Sequence, residues 1–187
     1  MVLLVPAGPK GHEPSRLRRR FALAVPAFAL LLMSTFAGTL FPVGPEEAKR
    51  FQEDIAQRFT GMGFAGVFGF IFLNNFAALL LMHVPLLGLL FGIYVTFSTG
   101  TFLGGLSALS GVNPALALVT TFVLPHAIPE FFAYSLAFVE SYICAKLVWR
   151  RRFREAARDE LTSMISSGAI LAAAAAIEAA LILLLGV

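Results

Sequence analysis

The 71 residues from 59 to 129 contain no Asp, Glu, Lys or Arg. A soluble domain draws about a quarter of its residues from these four types, so a stretch of this length has no ordinary place on a water-facing surface. About 20 consecutive apolar residues cross a bilayer, and the interval therefore holds at least two crossings. The rest of the chain agrees: 58% of its 187 residues are hydrophobic, 13% are charged and the mean hydropathy is +0.84. In hydrocarbon every backbone polar group needs a partner within the protein. The predicted fold class is an all-α polytopic transmembrane helical bundle forming a single domain.

Residues 1–20 form a basic leader ending in Arg16, Arg18, Arg19 and Arg20. The uncharged run that follows is long for a signal core, and no A-x-A cleavage pattern follows it, so 21–41 reads as the first span. In 45–60, Gly44 and Pro45 mark a helix start, with Glu46 and Glu47 suited to its first turn. Ala48, Phe51, Ile55, Phe59 and Met62 then recur at three- and four-residue steps, which predicts an amphipathic interfacial helix. Further spans are predicted over 63–83, 86–110, 128–148 and 161–187. Residues 115–124 form a short helix of about 15 Å, re-entrant or near one interface. The total is five full spans.

The basic residues set the expected orientation. The leader and the 146–160 loop fall on one side and carry 11 of the 14 Lys and Arg residues, while the 42–62 loop carries three, with four acidic residues. The positive-inside rule places the amino terminus in the cytoplasm of a cell-membrane protein and the carboxyl terminus outside. The sequence pI of about 9.4 is thus a topology signal, and no nucleic-acid partner is expected. The single cysteine, Cys144, excludes an internal disulfide.

Within the apolar region two patterns stand out. Gly88, Gly92, Thr96, Gly100, Gly104 and Ala108 fall at four-residue intervals, a small-residue stripe that lets another helix approach closely. Its length suggests a homo-oligomer in addition to an internal neighbour. The second pattern is TFVLPHAIPEFF, 121–132. Pro125 and Pro129 favour a break, and His126 and Glu130 share a helix face. A broken helix at membrane depth needs protein or a wet cavity around it. Asn74 and Asn75 carry both donors and acceptors, and we expect one of them to reach this segment and form a polar centre with His126 and Glu130.

Glu130, Glu140 and Glu178 have no basic residue nearby within their own spans. An ionised side chain at mid-bilayer costs roughly 3 kcal/mol on insertion scales, so each is expected to be protonated, hydrogen-bonded or facing water. Two roles fit, a proton or cation site and a structural hydrogen bond between helices. Glu140 is grouped with the possible binding centre; Glu178, amid alanines, reads as structural. His126 and Glu130, with His83 as a third candidate, could hold a metal, but H-E-x-x-H is absent. Phe122-x-x-x-His126 matches only one fragment of the CAAX-type intramembrane protease pattern. No cofactor is expected.

The pair Asn74–Asn75 in one span, a glycine-rich next span, and Pro125–His126 with Glu130 opening another resemble the stage II sporulation protein M family of small polytopic membrane proteins. The likeness covers roughly residues 60–150. The chain departs from it in having His126–Ala127 for His-Gly, Thr99–Gly100 for Asn-Gly, and Glu140–Ser141 where small residues are favoured. The resemblance implies a five-span membrane scaffold or conduit. The leading expectation is a non-enzymatic, self-associating scaffold with membrane protein partners in the lipid bilayer. The alternatives are a small channel or transporter with a polar site at the broken helix, and a membrane-embedded metal-dependent hydrolase.

Overall fold

The computed structural model describes residues 16–185, which form α1 (Arg16–Thr39), α2 (Pro45–Phe59), α3 (Phe64–Met82), α4 (Leu87–Ser110), α5 (Pro114–Val123), α6 (Ala127–Trp149) and α7 (Phe153–Leu185). Most of the predicted leader and the last two residues of the predicted final span lie outside the described residues. Five helices, α1, α3, α4, α6 and α7, are long and apolar enough to cross a membrane. Their outward surfaces are apolar: Val25 on α1, Leu73 on α3, Leu90 on α4 and Leu184 on α7 are all at least 65% exposed. In water such a belt would drive aggregation; facing lipid it is the expected exterior of a helical membrane protein.

Local signals set most boundaries. Asn113 caps α5 by accepting a bond from the Ala115 amide at 2.9 Å, with Pro114 in the first helical position. Gly111, at φ 65°, closes α4 in the left-handed conformation. The end of α6 is a Schellman turn built without glycine. Arg151 takes φ 57°, while the amides of Arg152 and Arg151 bond to the carbonyls of Leu147 and Val148, each at 2.9 Å.

Two expected boundaries are corrected. The predicted 146–160 loop shrinks to residues 150–152, because α6 runs to Trp149 and α7 starts at Phe153, eight residues before the predicted 161. Residues 153–160 are good helix formers with Glu155 in the first turn, and they bury Ala156 while exposing Arg154 and Arg158. Likewise α1 starts upstream of residue 21, which puts Arg20 on the first membrane helix rather than in a leader.

The glycine stripe of α4 is filled from within the chain. A Cβ on Gly100 would overlap the Thr35 carbonyl of α1, and one on Gly38 would overlap the Phe97 carbonyl of α4. Gly92 meets Phe138 of α6 and Leu31 of α1, and Gly104 meets Thr39. Ser34 Oγ donates across this seam to the Ile93 carbonyl at 2.9 Å. Thr96, 1% exposed, turns its hydroxyl back onto the Gly92 carbonyl at 2.8 Å. Ala108 does not belong to the stripe: it is exposed, and Gly105 takes its place against Val43 and Ala48. A strict four-residue step drifts around a 3.6-residue helix, so the buried face moves off the series by its sixth member.

α6 is the central helix, packed on α1, α3, α4, α5 and α7. Its Phe131, Tyr134 and Ala137 meet Leu31, Leu79, Met82 and Leu171 in one core. Val67, Ile71, Ala175 and Ala179 close a second core between α3 and α7. α2 lies against α4 with Ala48 fully buried and Phe51 on Phe102 at a 4.4 Å centroid distance.

Candidate functional site

The 121–132 segment breaks between α5 and α6 at residues 124–126. Pro129 falls in the first turn of α6, where an amide is not needed. The break is packed by aromatic rings: Phe122 meets Phe131 edge-on at 4.7 Å, and Phe28 of α1 meets both. His126 is the residue preceding α6, and its Nδ1 is buried with no hydrogen-bond partner. His126 and Glu130 are joined by the helical backbone bond, at 3.1 Å, and by no side-chain bond. The Glu130 carboxyl instead has the Tyr134 hydroxyl beside it and Glu178 of α7 within electrostatic reach. Glu178 is therefore a neighbour of the motif. No basic side chain among the described residues pairs with either glutamate.

The expected asparagines do not complete this centre. Asn74 is exposed, and its amide donates to Asn75 Oδ1 at 3.2 Å. No hydrogen bond among the described residues links either to 124–130. α3 packs on α7, α4 and α6 rather than on α5, so the pair satisfies part of its need for partners internally.

Glu140 belongs to a different cluster. It lies ten residues along α6 from Glu130, about 15 Å at 1.5 Å per residue. Arg20 of α1 holds it in a two-point grip, Nε to Oε2 at 2.9 Å and Nη2 to Oε1 at 3.0 Å, and also reaches Asp159 of α7 at 2.9 Å. Glu140 is 1% exposed and Arg20 16%. A guanidinium suits this role because its fork matches a carboxylate and it remains charged when buried. Beside it, His83 Nδ1 lies 2.6 Å from Glu160 of α7, and Nε2 lies 3.2 Å from Ser167 Oγ. The other Glu160 oxygen is buried without a hydrogen-bond partner, and the Cys144 thiol is a neighbour of this carboxylate. His83 is thus committed to α7 and is not a third ligand beside His126 and Glu130. Ser141 Oγ completes the level by donating to the Val84 carbonyl at 2.7 Å.

Sequence reasoning missed this cluster because the partners of Glu140 were assigned elsewhere, Arg20 to a leader and Asp159 to a loop, while His83 closed another span and Glu160 stood in the same loop. One signal was available: Glu140 needed a cation, and the basic residues flanking the spans were the only supply. The α3–α4 turn that His83 opens is itself strained. Leu86 takes φ 64° and ψ −47°, and Leu87 N bonds back to the Pro85 carbonyl at 2.8 Å, a γ-turn.

The two clusters differ in chemistry. The Arg20–Glu140–Asp159 and His83–Glu160 group joins four helices through opposed charges and hydrogen bonds. The Glu130–Tyr134–Glu178 group offers acidic and hydroxyl oxygens with no countercharge, which can hold a proton or a cation. No group of three or more His, Cys, Asp or Glu among the described residues is placed to share a metal ion.

No curated protein and no solved structure matches the chain. The model of the family described as stage II sporulation protein M matches residues 27–181, an interval that takes in the glycine stripe, the broken helix and every member of the two clusters except Arg20. The chain belongs to the stage II sporulation protein M family of membrane proteins.

Proposed function

We propose that this protein is a non-enzymatic membrane scaffold: a helical bundle of fixed shape whose ends and lipid-facing surfaces organise other membrane components. The observation that carries this reading is the cross-linking of α1, α3, α6 and α7 by Arg20–Glu140, Arg20–Asp159 and His83–Glu160. The α1–α4 seam is closed backbone to backbone beside them. Rocking one helix group against another, as alternating access requires, would separate buried charges at a cost of several kcal/mol. Since α1 occupies the glycine stripe, the face proposed for self-association or for partner proteins is α3, the least buried of the five candidate spans. The amino terminus is assigned to the cytoplasm of the cell membrane on the basic end formed by Arg19, Arg20 and 150–154.

The test is reconstitution in liposomes loaded with a pH-sensitive dye. The scaffold reading expects proton and cation flux no greater than in protein-free liposomes. A second reading, a small conduit, is favoured by one observation, the facing of Glu130 and Glu178 across α6 and α7 without a cation. Flux that vanishes in Glu130→Gln while the melting temperature is kept would establish the conduit in place of the scaffold. Under the scaffold reading Glu130→Gln is mild and Glu130→Leu costs about 1–3 kcal/mol, because leucine leaves buried polar neighbours unsatisfied.

A further inference from the structure

Two clefts on the outer surface of the bundle meet between α1 and α6. The first is polar, about 340 Å³, and opens at the end where α1 begins and α6 finishes. Five basic side chains, Arg19, Arg20, Lys146, Arg150 and Arg152, line it against two acidic ones, Glu155 and Asp159. Arg20 is held by Glu140 and Asp159, and Arg152 by Glu155. Arg19, Lys146 and Arg150 are exposed and have no acidic partner among the described residues. The second cleft is apolar, about 300 Å³, and runs along the lipid-facing groove past Pro26, Leu30, Leu89 and Phe138. Leu23 and Tyr142 line both clefts, so the two adjoin, a cationic mouth beside an apolar groove. The Lys146 ammonium sits over the Tyr142 ring, 5.9 Å from its centroid, which orients this cation at the junction.

We propose that these adjoining clefts together form a binding site for one anionic phospholipid, with the phosphate-bearing headgroup against Arg19, Lys146 and Arg150 and one acyl chain in the groove beside Leu30 and Phe138. Three uncompensated cations select net negative charge, as basic pockets between membrane helices do. A zwitterionic headgroup would bring its own cation into the same mouth. The apolar extension selects a lipid over a free phosphate, which would use the mouth and leave the groove unused.

The experiment uses the full chain in detergent and counts bound molecules by native mass spectrometry. The probes are phosphatidylglycerol, phosphatidylcholine of the same chains, and inorganic phosphate. One phosphatidylglycerol per chain should be retained at least about tenfold more tightly than phosphatidylcholine. Each removed charge should weaken it roughly fivefold, so Lys146→Gln with Arg150→Gln should lose about 25-fold and leave phosphatidylcholine unchanged. Leu30→Trp, which fills the groove from an exposed position, should weaken phosphatidylglycerol and leave the melting temperature intact. Equal retention of the two lipids overturns the proposal, as does a charge variant that binds phosphatidylglycerol like the parent. If inorganic phosphate binds alone as tightly as phosphatidylglycerol and Leu30→Trp has no effect, the site is for a soluble phosphate and the lipid assignment is wrong.

Discussion

Arg20 and Glu140 are the residues on which single substitutions should tell most. Removing the cation leaves Glu140, 1% exposed, as a buried unpaired carboxylate, a change that typically costs about 3–5 kcal/mol. Arg20→Gln should therefore lower the melting temperature in detergent sharply. Arg20→Leu combined with Glu140→Leu should cost less than the sum of the two single changes, by about 0.5–3 kcal/mol of coupling. Strict additivity would mean that the pair is not an energetic unit. Glu140 also shows what the sequence concealed. That it needed a partner was legible from its place in an apolar span; that the partner stood 120 residues away on another helix was not, because long-range pairing leaves no trace in local pattern. The reverse held for Asn74 and Asn75. Their chemistry suited the broken helix, yet adjacent side chains on one helix can partner each other, and they do.

The elements were more legible than their partners, since periodicity and turn chemistry are local. The seven helices of the described residues fall where apolar runs and Gly, Pro and Asn signals put them, except for the two ends where charged residues continue a helix past its apolar run. The stripe on α4 is the clearest case of a pattern read correctly as packing and incompletely as to its partner. Gly100→Leu should abolish folded, monodisperse protein, because the new side chain meets α1 backbone rather than a movable side chain. Ala108→Leu should stay within about 0.5 kcal/mol of the parent, since that position is exposed. If the two behave alike in a thermal melt, the α1–α4 seam is wrongly placed. The strained turn gives the opposite sign. Leu86 is 59% exposed and its side chain has little packing to lose, while a positive-φ residue other than glycine costs about 1–3 kcal/mol. Against the entropy glycine adds to the unfolded chain, Leu86→Gly should raise stability by about 1 kcal/mol. Leu86→Pro, whose ring demands φ near −65°, should be severely destabilising.

For the whole molecule the testable statement is its orientation. Gln52 on α2 and Arg154 at the start of α7 are both exposed, and the five-span arrangement puts an odd number of crossings between them. With Cys144 replaced by alanine, Gln52→Cys should react with an impermeant maleimide from the outer side and Arg154→Cys only after the membrane is opened. Reaction of both from one side would remove one of the five crossings.

The bidentate clamp has a consequence for the order of assembly. Arg20 leaves the ribosome 120 residues ahead of Glu140, roughly 6–24 s at common synthesis rates. If α1 inserts as it emerges, the guanidinium would stand at the bilayer edge through that interval, and α6 would bring its carboxyl group to a cation already stationed. The first span thus works as a docking partner for a helix made much later. A chain carrying a foreign first span would deliver Glu140 to the lipid with nothing to receive it, and its defect would show at insertion, before any function could be assayed.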